Sequence, residues 1–172
     1  MRIYLIGYMG AGKSVLGREL ALKMGFDFID LDQMVELQKN QTISSIFETH
    51  GEATFREFEK EALLQTANLE NTIISTGGGA PCFSDNINWM NENGLTVFLK
   101  VSLGKLFHRL TLSKKDRPLI KDKPDLDLME FMIENLIQRE EYYSKAKLVC
   151  EDDNLTSEML FSIIQKETDY SK

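Results

Sequence analysis

The amino-acid sequence predicts an α/β domain built on a five-stranded parallel sheet flanked by helices. Five short apolar runs alternate along the chain with longer segments of helical spacing, the pattern of strand–helix–strand units joined by right-handed crossovers. The runs are nearly continuous in apolar residues, as expected of strands buried on both faces. Polar residues with possible chemistry follow these runs directly. We therefore expect a site at the carboxyl edge of the sheet.

The first strand and the first helix have the clearest signals. Residues 1–6 form an apolar run that ends at Gly7. From Lys13 to Met24, apolar residues recur at three- and four-residue spacing, which predicts a helix. Gly25 follows where a left-handed C-terminal cap belongs.

The next segment, residues 26–69, predicts a short strand followed by a long helical stretch. A strand is expected over 26–29, before the acidic turn Asp30-Leu31-Asp32. Helix is expected over most of 33–69, with an interruption near Gly51. Ser45 and Glu48, three residues apart within this stretch, have the spacing of a capping box.

The second half of the chain continues the alternation to the end. The remaining predicted strands cover residues 72–75, 95–99 and 148–150, and the remaining predicted helices cover about 85–92, 103–112, 126–143 and 157–166. The polar segment 113–125 lacks apolar anchoring. Its length suits a mobile lid, and a plain surface loop is the alternative.

Composition and charge exclude several classes of protein. The chain has 172 residues, with 20 Lys and Arg against 27 Asp and Glu, and a net charge of −7. This charge disfavours binding to nucleic acid or to an anionic membrane surface. Cys82 and Cys150 lie far apart without metal-binding spacing, and no apolar run reaches the roughly 18 residues of a membrane span. Because the chain opens on a strand without a leader, we expect one cytoplasmic domain over 1–172, acting as a monomer.

One motif points to a nucleotide. The segment Gly7-Tyr8-Met9-Gly10-Ala11-Gly12-Lys13-Ser14 matches G-x-x-x-x-G-K-[ST] at a strand-to-helix junction. Its glycines let backbone N–H groups surround phosphate oxygens, the helix N-terminus and Lys13 add positive charge, and Ser14 is expected to bind Mg²⁺. The guanine-reading motif Asn-Lys-x-Asp is absent from the sequence, and the chain is too short for most mechanical ATPases. A small-molecule kinase using ATP remains.

Further residues after the strands are candidates for the acceptor site. Asp30 and Asp32 could approach the metal and the acceptor, or could form an ordinary acidic turn. Arg56 stands among acidic neighbours, so a solvated salt bridge is its alternative reading. The run Gly77-Gly78-Gly79 permits a ligand or a helix end to approach the backbone closely. Arg117 lies in the predicted lid and Arg139 lies late on a long helix.

Taken together, these pieces resemble the shikimate kinase family over essentially the whole chain. The matching segments are Gly10-Ala11-Gly12-Lys13-Ser14, Asp30-Leu31-Asp32, Phe55-Arg56-Glu57-Phe58-Glu59, Ser75-Thr76-Gly77-Gly78-Gly79, Arg117-Pro118-Leu119 and Arg139-x-x-x-Tyr143. The resemblance implies a three-layer P-loop kinase fold of the nucleoside-monophosphate-kinase type with a mobile lid. It implies transfer of the ATP γ-phosphoryl group to the 3-hydroxyl of shikimate, a step of aromatic amino-acid synthesis.

The resemblance also implies roles for single residues. Arg56 and Arg139 hold the shikimate carboxylate, beside the backbone of Gly77, Gly78 and Gly79. Asp32 contacts the ring hydroxyls and accepts the proton of the attacking one. Ser14 binds Mg²⁺, and Asp30 supports the metal through water.

The nucleotide side follows in the same way. The residues implied to bind ATP are Gly10, Ala11, Gly12, Lys13, Ser14, Val15, Arg109 and Arg117. Lys13, Asp32 and Arg117 are the implied catalytic residues, with Arg117 closing over the transferring group in the lid. Arg109 looks like the family's adenine-stacking arginine. The sequence departs from the family after the last strand, where Glu151-Asp152-Asp153-Asn154 replaces a basic residue near the adenine.

Two alternatives stay open at this point. A related small-molecule kinase, such as a gluconate kinase, would share the P-loop and bind its acceptor differently. A nucleotide-binding protein that has lost turnover would act through partner contacts, although the intact Lys13, Asp32 and Arg117 argue against such loss.

Overall fold

Five parallel strands form one sheet in the structure, a computed structural model that describes residues 1–113 and 124–169. The strands are β1 (Arg2–Ile6), β2 (Asp27–Asp30), β3 (Thr72–Ser75), β4 (Leu95–Lys100) and β5 (Leu148–Glu151). All neighbours pair in parallel, and the order across the sheet is β2-β3-β1-β4-β5. β1 is therefore central, and the P-loop that follows it opens at the middle of the carboxyl edge.

Helices cover both faces of this sheet. In the described residues they are α1 (Lys13–Met24), α2 (Leu31–Lys39), α3 (Ile43–Gln65), α4 (Asn86–Asn93), α5 (Leu103–Leu112), α6 (Asp125–Tyr143) and α7 (Ser157–Asp169). Short 3₁₀ turns lie at Thr66–Asn68 and Ala80–Cys82. No helix within these ranges is long and apolar enough to cross a bilayer.

The side chains of β1 divide the core into two layers. Ile3 and Leu5 belong to one buried cluster, which includes residues of α1, α5, α6 and α7. Tyr4 and Ile6 belong to the other, which includes residues of α2, α3 and α4. Because successive side chains of a strand point to opposite faces, the two clusters lie on opposite sides of the sheet. The predicted three-layer α/β architecture is confirmed.

Several predicted elements are confirmed to the residue. The helix over Lys13–Met24 and the strand over Thr72–Ser75 have the predicted bounds. Gly25 adopts the left-handed conformation, with φ 66° and ψ 33°, and its N–H donates to the carbonyl of Ala21. The interruption at Gly51 is also present, with φ 80° and ψ 172° inside α3.

The capping-box spacing at Ser45 does not mark the start of a helix in the structure. Helix α3 begins at Ile43, and Thr42 is its N-cap, accepting a hydrogen bond from the Ser45 N–H at 3.2 Å. The Ile43 N–H donates to Glu36 Oε1 at 2.8 Å. Glu36 lies on α2, so a neighbouring helix satisfies one of the unpaired N–H groups of the first turn.

Two smaller expectations are also settled within the described residues. The second strand lies one residue later than predicted, and Glu151 is the last residue of β5 instead of following it. Cys82 and Cys150 are free thiols, and Cys150 is buried. This agrees with the absence of disulfide spacing in the sequence.

Candidate active site

The P-loop lies where the sequence predicts it, between β1 and α1. Gly10 and Gly12 have positive φ values of 82° and 97°, a conformation that side chains disfavour. This backbone leads directly into the N-terminus of α1, whose dipole favours an anion. The Lys13 ammonium donates to the carbonyls of Gly7 at 2.8 Å and Tyr8 at 3.0 Å, and the residue is only 8% exposed. The loop thus concentrates positive charge at the sheet edge.

A cavity of about 530 Å³ opens beside the loop, and we call it the P-loop cavity. The predicted ATP-binding residues that line it are Gly10, Ala11, Gly12, Lys13, Ser14, Val15 and Arg109. Arg117 and most of the predicted lid, residues 114–123, lie outside the described residues. Val15 is 61% exposed at the cavity wall, so its apolar side chain is available for contact with a ligand.

Three oxygen-bearing side chains meet at the base of the P-loop cavity. Ser14 Oγ donates to Asp30 Oδ2 at 2.6 Å and lies 3.1 Å from Ser75 Oγ. Asp30 Oδ1 accepts the N–H of Asp32 at 3.1 Å and so caps α2. Hydroxyl and carboxylate oxygens are ligands that suit Mg²⁺, so this donor set fits the ion. Sequence reasoning did not single out Ser75.

Another wall of the P-loop cavity is formed by α5 and the loop after β5. Arg109 donates from Nη1 to the carbonyl of Gly10 at 2.8 Å. Asp153 accepts from the Ser102 N–H at 2.7 Å and from Ser102 Oγ at 2.6 Å, and Lys105 contacts the carbonyl of Asp153. The acidic loop that departs from the family pattern is therefore anchored to the start of α5.

A second cavity of about 330 Å³ adjoins the first, and we call it the arginine cavity. The predicted acceptor residues that line it are Asp32, Arg56, Gly77, Gly78, Gly79 and Arg139. Phe47 and Phe55 also line it, and their rings lie 4.8 Å apart. Three residues line both cavities: Met9, Asp32 and Gly78. The structure therefore brings together the acceptor candidates that the sequence placed on separate elements.

Arg56 is held by carboxylates on its own helix. Nη1 donates to Glu59 Oε2 at 2.8 Å, and Nη2 donates to Glu52 Oε1 at 2.9 Å. The Arg56 side chain is 11% exposed, so the alternative of a solvated surface salt bridge does not describe it. Arg139 reaches the same cavity from α6, with its guanidinium carbon 5.4 Å from the centroid of the Tyr8 ring.

The glycine run makes room for charged side chains. A Cβ on Gly77 would lie 2.6 Å from Glu59 Oε1 and 2.8 Å from Asp32 Oδ1. A Cβ on Gly79 would lie 2.6 Å from Arg56 Nη2. A side chain at either position would therefore force these charged groups to shift. The close approach predicted from the sequence is thus made, in the structure, by the charged groups of α2 and α3.

Glu59, like Ser75, is a site residue that sequence reasoning did not single out. It is 1% exposed, and its Oε1 atom is buried without a hydrogen-bond partner among the described residues. A signal was present, because Glu59 shares a helical stripe with the buried residues Phe55, Ala62 and Leu63. A carboxylate at a core position of an amphipathic helix needs a partner, and here that partner is Arg56.

Burial shifts the ionisation of two carboxyl groups in the arginine cavity. Desolvation raises the pKa of Asp32 to about 6, and the nearby Asp30 raises it further while Lys13 opposes. Desolvation also raises the pKa of Glu59 to about 7, against the opposing effect of Arg56. Two acidic groups with raised pKa values beside two arginines make this cavity a candidate functional site.

These shifts predict how stability depends on pH. A carboxyl group with a raised pKa in the folded state holds its proton more tightly there than in the unfolded chain, whose ordinary values are near 4. Its contribution to stability is complete below that value and is lost as the pH rises through about 6 for Asp32 and about 7 for Glu59. We expect the thermal midpoint of the ligand-free protein to fall between pH 5 and pH 8.

The Glu59→Gln variant isolates the larger share of this effect. This variant is expected to remove most of the fall in the free energy of unfolding between pH 5 and pH 8, on the order of 2–3 kcal/mol. Thermal unfolding followed by circular dichroism at constant ionic strength measures it. Glu57→Gln, an exposed change of the same charge on the same helix, is the matched control. A Glu59→Gln variant with the parental slope would contradict the assignment.

The fold and the two cavities together define a class. A P-loop at the end of the central strand of a β2-β3-β1-β4-β5 sheet, next to a second cavity of small-molecule size, is the arrangement of a P-loop kinase with a small-molecule acceptor.

Comparison with known proteins defines the family. The family model described as shikimate kinase matches residues 9–168. The shikimate kinase of Bacteroides thetaiotaomicron is 46% identical over 155 residues, which cover 90% of this chain and 89% of that protein. A crystal structure of shikimate kinase from the same species covers 98% of both chains with a TM-score of 0.92 and 43% identity. The chain belongs to the shikimate kinase family and is an ATP-dependent kinase.

A further relative was solved with a ligand. The structure of shikimate kinase from Acinetobacter baumannii in complex with shikimate has a TM-score of 0.89 and 30% identity, and the match covers 99% of this chain and 94% of that one. The resemblance stated from the sequence motifs is confirmed at the level of the family and the fold.

Proposed function

We propose that the protein transfers the γ-phosphoryl group of ATP to the 3-hydroxyl of shikimate, giving ADP and shikimate 3-phosphate. One observation supports this proposal more strongly than any other. The P-loop cavity and the arginine cavity share Asp32 on their common wall, with Lys13 on one side and Arg56 on the other. A donor phosphate and an acceptor hydroxyl would meet at that carboxylate.

The P-loop cavity takes the nucleotide. The backbone N–H groups of the loop and the N-terminus of α1 surround the phosphates, and the Lys13 ammonium offsets the negative charge gathered during transfer. Arg109 lines the same cavity, where its guanidinium plane could stack on the adenine. By family resemblance we assign to Arg117 the neutralisation of charge on the transferring group.

Magnesium fits the donor set at the base of this cavity. Ser14 would bind the ion directly and Asp30 would support it through water, because both Asp30 oxygens are already hydrogen-bonded. Bound there with ATP, the ion would neutralise phosphate charge. No three His, Cys, Asp or Glu side chains of the described ranges cluster as a metal site, which is consistent with an ion held mainly through phosphates.

The arginine cavity takes the acceptor. Two guanidinium groups, those of Arg56 and Arg139, can grip a carboxylate in a fixed orientation through charge-assisted hydrogen bonds. The helical segment 33–69 supplies much of this wall, including Phe47, Phe55 and Arg56. Asp32 would then lie beside the ring hydroxyls and accept the proton of the attacking one.

Release of ADP from purified protein, ATP, Mg²⁺ and shikimate tests the proposal. A parallel reaction with gluconate separates it from the related-kinase alternative, and a calorimetric titration with ATP reports nucleotide binding alone. Turnover with shikimate only is the expected result. No ADP above the blank, or turnover with gluconate only, would remove the proposal. The expectations of a cytoplasmic location and a monomer stay predictions.

Replacing Arg56 tests the assignment of the acceptor carboxylate. Arg56→Ala is expected to raise KM for shikimate by about 100-fold, the effect of losing charge-assisted hydrogen bonds, while KM for ATP changes less than about threefold. Steady-state kinetics with each substrate varied in turn measures both constants. Arg18→Ala, an arginine on α1 that stacks on Phe28, is the control. An equal rise in both KM values would refute the proposed partner.

A further inference from the structure

An aromatic side chain covers the proposed acceptor arginine from outside the cavity. Phe83 is 38% exposed, and its ring centroid lies 4.2 Å from the guanidinium carbon of Arg56. It is the aromatic member of the exposed large apolar side chains in the described part of the chain, the others being aliphatic. The ring is therefore partly buried, and the guanidinium of Arg56 is one of the groups that cover it.

The backbone around Phe83 is held firmly. The Asn86 N–H donates to the carbonyl of Phe83 at 2.9 Å, and the Asn86 side chain donates to the carbonyl of Ala80 at 2.9 Å. Asn86 is only 2% exposed. One buried residue therefore holds the backbone at Ala80 and at Phe83 through hydrogen bonds, which fixes the backbone position from which the Phe83 ring extends.

The same turn is strained. Ser84 and Asp85 have φ values of 50° and 61°, in the left-handed region that residues other than glycine rarely adopt. Strained residues of this kind persist where surrounding structure holds them, and they cluster at functional sites. Two such residues in succession directly follow Phe83, so the conformation of this turn sets where the ring is placed.

We propose that Phe83 is a positioning residue. Its ring fixes the plane of the Arg56 guanidinium and shields that group from water, so that the guanidinium is already oriented to bind the acceptor carboxylate. The Phe83 ring adds a second cation–π contact to the orientation already set by Glu59, Glu52 and the more distant Phe55 ring. Less water around the guanidinium also means less screening of its attraction to an anion. This inference rests on the proposed function, in which Arg56 binds the carboxylate of shikimate.

Kinetics of Phe83 variants test the inference. Phe83→Leu and Phe83→Ala are expected to raise KM for shikimate roughly three- to tenfold, the range of a partly desolvated cation–π contact, with kcat and KM for ATP within about twofold. Phe83→Tyr keeps the ring and is expected to restore the parental KM. Leu64→Ala is the matched control, since Leu64 is similarly exposed, at 41%, on the helix of Arg56.

A second measurement does not depend on turnover. The Phe83 ring should add a ring-current shift to the Arg56 Nε–H proton resonance beyond that of Phe55, whose centroid lies 5.1 Å from the guanidinium carbon. The Phe83 contribution should be lost in Phe83→Leu and persist in Phe83→Tyr. Leucine and alanine variants with the parental KM, or an unchanged Arg56 resonance, would overturn the inference while the proposed function stands. Parental protein that shows the ring-current shift but no turnover of shikimate would instead overturn the proposed function and, with it, the kinetic role of Phe83.

Discussion

Asp32→Asn is expected to lower kcat for shikimate by about 100- to 1,000-fold, the usual contribution of a positioned general base. Asparagine keeps the size of the side chain but cannot take up the hydroxyl proton. KM for ATP should change little, because the P-loop keeps its amides and Lys13. Steady-state kinetics measures the loss, and Asp27→Asn on the exposed start of β2 is the control with the same charge change. A kcat within threefold of the parent would exclude Asp32 as the base.

The pH profile gives an independent check on the same carboxylate. Because burial raises the pKa of Asp32 to about 6, the group gains its proton as the pH falls through that value and can no longer accept another. The parental kcat/KM for shikimate should therefore fall about tenfold per pH unit below pH 6. The Asp32→Asn variant should lack this acidic limb, which a structural defect alone would not remove.

Lys13→Met is expected to reduce kcat/KM for ATP by about 1,000-fold. A charge pair at about 4 Å in a medium of effective dielectric near 20 contributes roughly 4 kcal/mol before desolvation, and tenfold in rate corresponds to about 1.4 kcal/mol. Methionine is unbranched and uncharged, so it removes the ammonium while filling similar space.

The control for Lys13 lies on the same helix. Lys23 pairs at the surface with Glu158 at 2.6 Å, and such pairs contribute little, so Lys23→Met should keep the parental kinetics. Calorimetry with ATP shows whether the loss lies in binding or in transfer. A Lys13→Met variant with kcat/KM within tenfold of the parent would refute the role of the ammonium.

Much of the fold could be predicted from local signals. The helix over Lys13–Met24 combines apolar periodicity with a glycine at its end, and both signals act within a few residues of the chain. The P-loop was predictable for the same reason, since its glycines and Lys13 form one short motif. The parallel sheet followed from the alternation of apolar runs and helical segments, which needs no knowledge of contacts.

The start of α3 is set by a competing cap. Ser45 carries capping-box spacing, yet Thr42 caps the helix by accepting the Ser45 N–H, and Glu36 of α2 accepts the Ile43 N–H. The pattern at Ser45 and Glu48 does not contain the contact with Glu36.

Glu59 shows the complementary case in the site. Its position on the buried stripe of α3 can be predicted from the sequence. The sequence does not, however, distinguish Glu59 from the other acidic neighbours of Arg56, such as Glu57. The structure shows that the space left by Gly77 admits the Glu59 carboxylate. A glycine run and a charged residue on an apolar helical face are therefore more informative together than either is alone.

The wall shared by the two cavities has a thermodynamic consequence. Met9, Asp32 and Gly78 face both cavities, so a ligand that shifts any of them on one side alters the surface presented on the other. Linkage then requires reciprocity: whatever factor nucleotide applies to the dissociation constant of the acceptor, the acceptor must apply to that of the nucleotide. Neither affinity is a property of one cavity, and each has a defined value only when the occupancy of its neighbour is stated.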